Sequence, residues 1–139
     1  MISIIRSYIK SQILANYPDL KENKSAFYDD DIGEILIDRS YQITISNITN
    51  TLRTDYREYE VPCTLSIFGT GFRNEISNYD TLLDKALCIL DNIIDLRKFE
   101  TVPQIVNVFN GSILSEQLIN TDNSFKVDIN FTVTIAYTE

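Results

Sequence analysis

The chain of 139 residues contains no His and no Trp, and only two Cys, one Met, three Pro and four Gly. Without His, Ser-His-Asp and Cys-His catalysis, imidazole proton shuttling and His-ligated metals are excluded. Two thiols fall short of the four ligands of a structural zinc site. Cys63 lies in a strand-like run and Cys88 in a helix-like run, and both read as small buried apolar residues rather than as a disulfide. Positive charge is scarce too, with 12 Lys and Arg against 20 Asp and Glu, a net charge of −8. That balance excludes a general affinity for nucleic acid, which needs clustered cations. Long apolar runs are also missing. The N-terminal stretch is broken by Arg6, Ser7, Lys10, Ser11 and Gln12, so it lacks the ~7–15-residue core of a secretory signal. No other stretch approaches the ~18 apolar residues of a membrane span. Synthesis in the cytoplasm, with no membrane contact, is the expectation.

What remains is 44% hydrophobic and 23% charged, the balance of a globular chain of one domain, residues 1–139. Ile2, Ile5, Ile9 and Ile13 recur at steps of three and four, widened by Ile4, Tyr8 and Leu14. They predict a helix over 2–16, which Pro18 ends. Residues 18–34 form a long acidic loop around Asp29, Asp30 and Asp31. Strands are expected within 34–68, where Ile35 and Ile37, then Tyr41, Ile43 and Ile45, then Tyr59, Val61, Cys63, Leu65 and Ile67 alternate with polar neighbours. Pro62 within the last run points to an edge strand or a strand end, and Gly69-Thr70-Gly71 to a turn.

A helix over 78–97 carries Leu82, Leu83, Ala86, Leu87, Ile89, Leu90, Ile93, Ile94 and Leu96 as a broad apolar face. Ser77 or Asn78 is its expected cap, and Arg97 and Lys98 suit its C-terminal end. Strands over 104–114 and 125–137 follow. Asn110-Gly111 is a hairpin dipeptide and Thr121–Ser124 a second turn signal. In the last strand Phe125, Val127, Ile129, Phe131, Val133, Ile135 and Tyr137 occupy every odd position. The order of elements predicts an α+β fold, a mainly antiparallel sheet with an N-terminal helix and a central amphipathic helix packed on it.

Little in this sequence carries chemistry. Asp91 and Asp95, four apart on the predicted helix, share its solvated face, and Glu58 and Glu60 have no partner that suggests acid–base work. Asp29, Asp30 and Asp31 lack the EF-hand spacing, since the twelfth position counted from Asp29 is Ser40. Gly69 and Gly71 lack the remaining residues of a phosphate loop. No enzyme, cofactor or metal is expected. Aromatic and charged residues at loop junctions suit a protein interface instead. The candidates are Phe27, Tyr28, Asp29, Asp30, Asp31, Arg53, Tyr56, Arg57, Phe72 and Arg73, with Tyr41, Tyr59 and Tyr79 at similar junctions.

The YEVPCTLSIFG strand, the ISNYDTLLDKALCILDNII helix and the FKVDINFTVTIAY final strand, in this order after a short helix and an acidic loop, resemble the tail terminator (tail completion) proteins of long-tailed bacteriophages. The resemblance runs from Ile2 to Tyr137. It implies a structural protein of the virion tail or neck: a homo-oligomeric ring, a hexamer, that caps the tail tube and meets the head–tail connector protein. Its partners are then further copies of itself, the tail tube protein and the connector, with DNA passing through without specific binding. The family brings no catalytic residues. Another head–tail connector or neck protein, or a small cytoplasmic protein-binding adaptor, is the alternative from the same composition.

Overall fold

The computed structural model describes residues 2–22, 40–51, 56–69, 76–117 and 125–137. Helix α1 (Ile2–Asn16) leads into a two-residue strand β1 (Lys21–Glu22). There follow β2 (Ser40–Ile45), β3 (Thr49–Asn50), β4 (Arg57–Gly69), helix α2 (Ile76–Ile93), a single helical turn α3 (Leu96–Phe99), β5 (Ile105–Gln117) and β6 (Phe125–Tyr137). The strands form one sheet in the order β1-β2-β4-β6-β5, with β3 also on β4. All pairings are antiparallel except the short β1–β2 contact. The α+β class expected from the order of elements is thus the observed one.

Both long helices lie on the same face of the sheet, and the period-two pattern decides which face that is. Ile43, Val61, Cys63, Leu65, Ile67, Val127, Ile129, Phe131, Val133 and Ile135 are buried there against Ile5, Ile9 and Ile13 of α1 and Leu82, Ala86, Ile89, Leu90 and Ile93 of α2. Their partners along the strands face the other way and are mostly polar, as in a sheet with one dry face. Tyr8 fastens the two helices together, its hydroxyl donating to the Ile93 carbonyl at 2.6 Å.

Several elements differ from their sequence reading, each for a local reason. The predicted 78–97 helix begins at Ile76 and stops at Ile93. Ser77 and Asn78 are therefore inside it and do not cap it. Asp95 is extended, at φ −68° and ψ 118°, and its carboxylate accepts from the Arg97 N–H to start α3. This break separates Asp95 from Asp91, and it leaves Ile94 and Leu96 exposed with Leu87. On α1 the stripe is shifted: Gln12 is buried, whereas Leu14 is 60% exposed.

Pro62 sits in β4, between β2–β3 and β6, not at an edge. A residue in an antiparallel strand turns its N–H and C=O toward the same neighbour. The Pro62 carbonyl accepts from the Ser46 N–H at 3.1 Å, so its missing N–H faces β2–β3. There the register slips by one residue between Ile45↔Cys63 and Thr49↔Glu60, and a bulge removes the ladder bond that proline cannot make.

Asn110-Gly111 is not a hairpin turn. Strand β5 runs straight through it, with register shifts between Ile105 and Asn107 and between Phe109 and Ser112. Asn110 takes φ 59°, the left-handed conformation that Asn tolerates and that a bulge requires. Gly111 allows α2 to close on the strand, since a Cβ there would stand 3.1 Å from Leu90 Cδ1. The residues of the second turn signal, 121–124, lie outside the described residues, as do 23–39 of the acidic loop and its flank. Within the described part of that loop, Leu20 is buried and Lys21–Glu22 pair with Ser40 and Tyr41.

Candidate interaction surface

Of the ten candidate interface residues, Phe27, Tyr28, Asp29, Asp30, Asp31, Arg53, Phe72 and Arg73 lie outside the described residues. Tyr56 and Arg57 are described. Tyr56 is half-buried at a bend, and Arg57 is exposed as the first residue of β4, opposite Tyr137. Behind them Glu58 is buried, and Thr51 Oγ1 donates to its carboxylate at 2.7 Å. The Thr51 N–H also donates to the Glu58 carbonyl at 3.0 Å. The Arg57 end of the β3–β4 hairpin is thus held rigid by neighbours that are themselves not exposed. Tyr41 lies in the core, as its place in the alternating strand run predicts, and not at an interface junction: it is 5% exposed, and burial beside Glu22 pushes its hydroxyl pKa up. Tyr59 is half-buried, packed against the same core.

The sheet face turned away from the helices carries cross-strand polar pairs. Thr64 Oγ1 donates to Asn130 Oδ1 at 2.8 Å and Ser66 Oγ to Asp128 Oδ1 at 2.6 Å. Lys126 stands 3.6 Å from Asp128. The first two pairs join facing positions of β4 and β6 and the third lies along β6, so this face is bonded within itself; Glu58, Ser66, Phe68 and Thr134 on it are buried.

The two edges of the sheet are treated differently along their length. On the β2 side, β1 covers Ser40 and Tyr41, and Arg6 Nη1 donates to the Ile43 carbonyl at 2.9 Å. On the β5 side, Ile105 donates to Val102 and the Val108 N–H donates to Asn107 Oδ1. Beyond those points, among the described residues, no further strand pairs with Ile45–Thr49 or Ile113–Gln117 on their outer side. Ile48, Leu114 and Val106 are exposed apolar residues on these edges, at 47%, 59% and 51%. Periodicity alone misses this feature, because an edge is defined by pairing rather than by pattern.

A shallow groove lies between α1 and the segment after α3, lined by Ser3, Ser7, Ser11, Tyr8, Val102 and Gln104. Its lining holds no acid–base pair. Among the described residues no group of three His, Cys, Asp or Glu is placed to hold a metal ion, and no helix is long and apolar enough to cross a membrane. Both thiols are free. Burial pushes the Cys63 thiol pKa up to about 12. In the middle of α2, Lys85 Nζ stands 5.4 Å from the Tyr17 ring centroid, and burial together with a hydrogen bond to Cys88 pushes the Tyr17 hydroxyl up to about 12. The exposed Asp95 carboxyl is held below the usual range by hydrogen bonds from Arg97. These are structural roles: every perturbed group has a packing or capping cause. No family model matches the chain, and no curated protein matches it in sequence.

Proposed function

We propose that this chain is a structural virion protein of a bacteriophage tail, of the tail terminator type, which forms a ring on the tail tube and meets the head connector. The observation that carries this reading is the position of the three segments behind the resemblance. They are β4, α2 and β6: β4 and β6 are paired along their whole length, and α2 packs its apolar face on them. The resemblance therefore follows the centre of the fold rather than a peripheral loop. The exposed apolar residues Ile48 and Leu114 on the sheet edges add surface suited to assembly rather than to a small ligand.

Purified protein at increasing concentration, followed by native mass measurement, tests the reading. The expected result is a closed ring of six times the 16.0 kDa chain mass, and terminator-deficient tails that become competent for head joining when the ring is added. A chain that stays monomeric and binds no tail overturns it.

A further inference from the structure

We propose that copies of this chain join head to tail by main-chain pairing, with the Ile113–Gln117 edge of one copy laid antiparallel on the Ile45–Thr49 edge of the next. The inference rests on the ring reading and names the surfaces that would make the ring.

Four observations support it. The two longest stretches of the chain without Asp, Glu, Lys or Arg are residues 40–52 and 101–115, and these are the two edges of the sheet. Soluble proteins usually protect edge strands with charge; here, in a chain of net charge −8, these two stretches omit it, and Glu116 is the one charged residue within the Ile113–Gln117 contact. In the sequence the first stretch is bounded by Arg39 and Arg53, the second by Glu100 and Glu116, so the two are bounded by opposite charge. Second, β2–β3, β4, β6 and β5 alternate in direction. The two edges of one sheet therefore run oppositely, and a repeated copy sets β5 antiparallel to the next β2–β3, the more stable pairing.

The third observation is the stagger. Ile45–Thr49 lies level with Cys63–Glu60 of β4, and Ile113–Gln117, through Ile129–Phe125, lies level with Leu65–Gly69. Joining the two open stretches shifts each copy by about five to six residues, roughly 18–20 Å, across four strands that together span roughly 19 Å. This is a strand tilt of roughly 45°, at the upper end of the range that closed barrels use. Fourth, the joint would cover Ile48 and Leu114, both exposed in the single chain. Each edge paired with itself would make a two-fold contact, whereas the two edges paired with one another make a heterologous contact, which forms a ring when the rotation between copies closes.

Lysine placed on either open stretch tests the pairing. Ile48→Lys and Leu114→Lys should each convert the ring to monomer in native mass spectra, with the far-UV circular dichroism of a folded chain and the melting point of the wild-type chain below its assembly concentration. Val106→Lys, equally exposed on β5 but in its capped half, should leave the ring intact. Mixing the Ile48→Lys and Leu114→Lys chains should give one heterodimer, joined through the single pair of unmodified edges. Should a variant fail to fold, amide exchange of the wild-type chain above and below its assembly concentration decides: Ile113, Ser115 and Gln117 should gain at least tenfold protection on assembly. Rings that persist in both lysine variants, or unchanged exchange at these amides, overturn the edge pairing and leave the ring standing. Homodimers of either variant alone overturn the head-to-tail arrangement. A wild-type chain that is monomeric throughout overturns the ring itself, and the pairing with it.

Discussion

At the scale of single residues, the interior of this protein is held by a few polar contacts inside an aliphatic core. The Tyr8 hydroxyl bonds the Ile93 carbonyl at 2.6 Å across the helix pair, and burial, with Asp95 nearby, raises its pKa. Tyr8→Phe removes this bond while keeping the ring, and the expected loss is about 0.5–1.5 kcal/mol by urea denaturation. Cys63 is 2% exposed and its Sγ donates to the Val61 carbonyl. Its folded pKa, pushed up to about 12, exceeds the roughly 8.5 of an unfolded thiol. Its share of stability is therefore complete below about pH 8.5 and declines as pH rises toward about 12. Native alkylation should label half-buried Cys88 well before Cys63, and raising the pH from 8 to 11 should lower the denaturation midpoint of the wild-type chain more than that of Cys63→Ala. The burial of Cys63 was legible from residue type, whereas Cys88, read the same way, is half-buried; the Tyr8 bond was not legible, since its partner lies eighty-five positions away.

At the scale of elements, β5 shows how one residue changes the meaning of a motif. Asn-Gly promotes a hairpin when the chain on either side of it can pair with itself. Here the partner on both sides is β6, and the same backbone preference is used for a bulge. Asn110→Val should cost about 1–2 kcal/mol, because a β-branched side chain is disfavoured at φ 59°. Asn110→Gly should fold as stably as the wild-type chain; thermal melts of the two separate this from any side-chain role. The α2–α3 break is a second case. Periodicity continues through Ile94 and Leu96, but Asp95 satisfies the Arg97 N–H from an extended backbone and so restarts the helix instead of continuing it. Pro62 is a third, tolerated in a central strand because the neighbouring strand bulges where its N–H is absent.

At the scale of the whole molecule, charge and edges act in opposite directions. Copies that each carry −8 repel over a Debye length of roughly 10 Å at 0.1 M salt. Contact stretches whose one charge is Glu116 lessen that repulsion only at the contact itself. Self-association should therefore strengthen as salt rises from 50 to 300 mM, measured by sedimentation, in contrast to assemblies held by salt bridges. Replacing the fully buried Phe131 by Ala should cost about 3–5 kcal/mol, and should lower the yield of folded chain before it changes any assembly constant.

The sequence by itself determined the class of fold, the helix over Ile2–Asn16 and the 13-residue closing strand, because hydrophobic periodicity is a local property that every turn or pleat repeats. It also excluded imidazole chemistry, since the chain has no His. Only the tertiary structure decided that Pro62 is central, that Asn110-Gly111 is a bulge, and which strands form the edges of the sheet. Each of these depends on which strand lies alongside, and strand pairing joins residues far apart in the chain through main-chain bonds that side-chain pattern does not record.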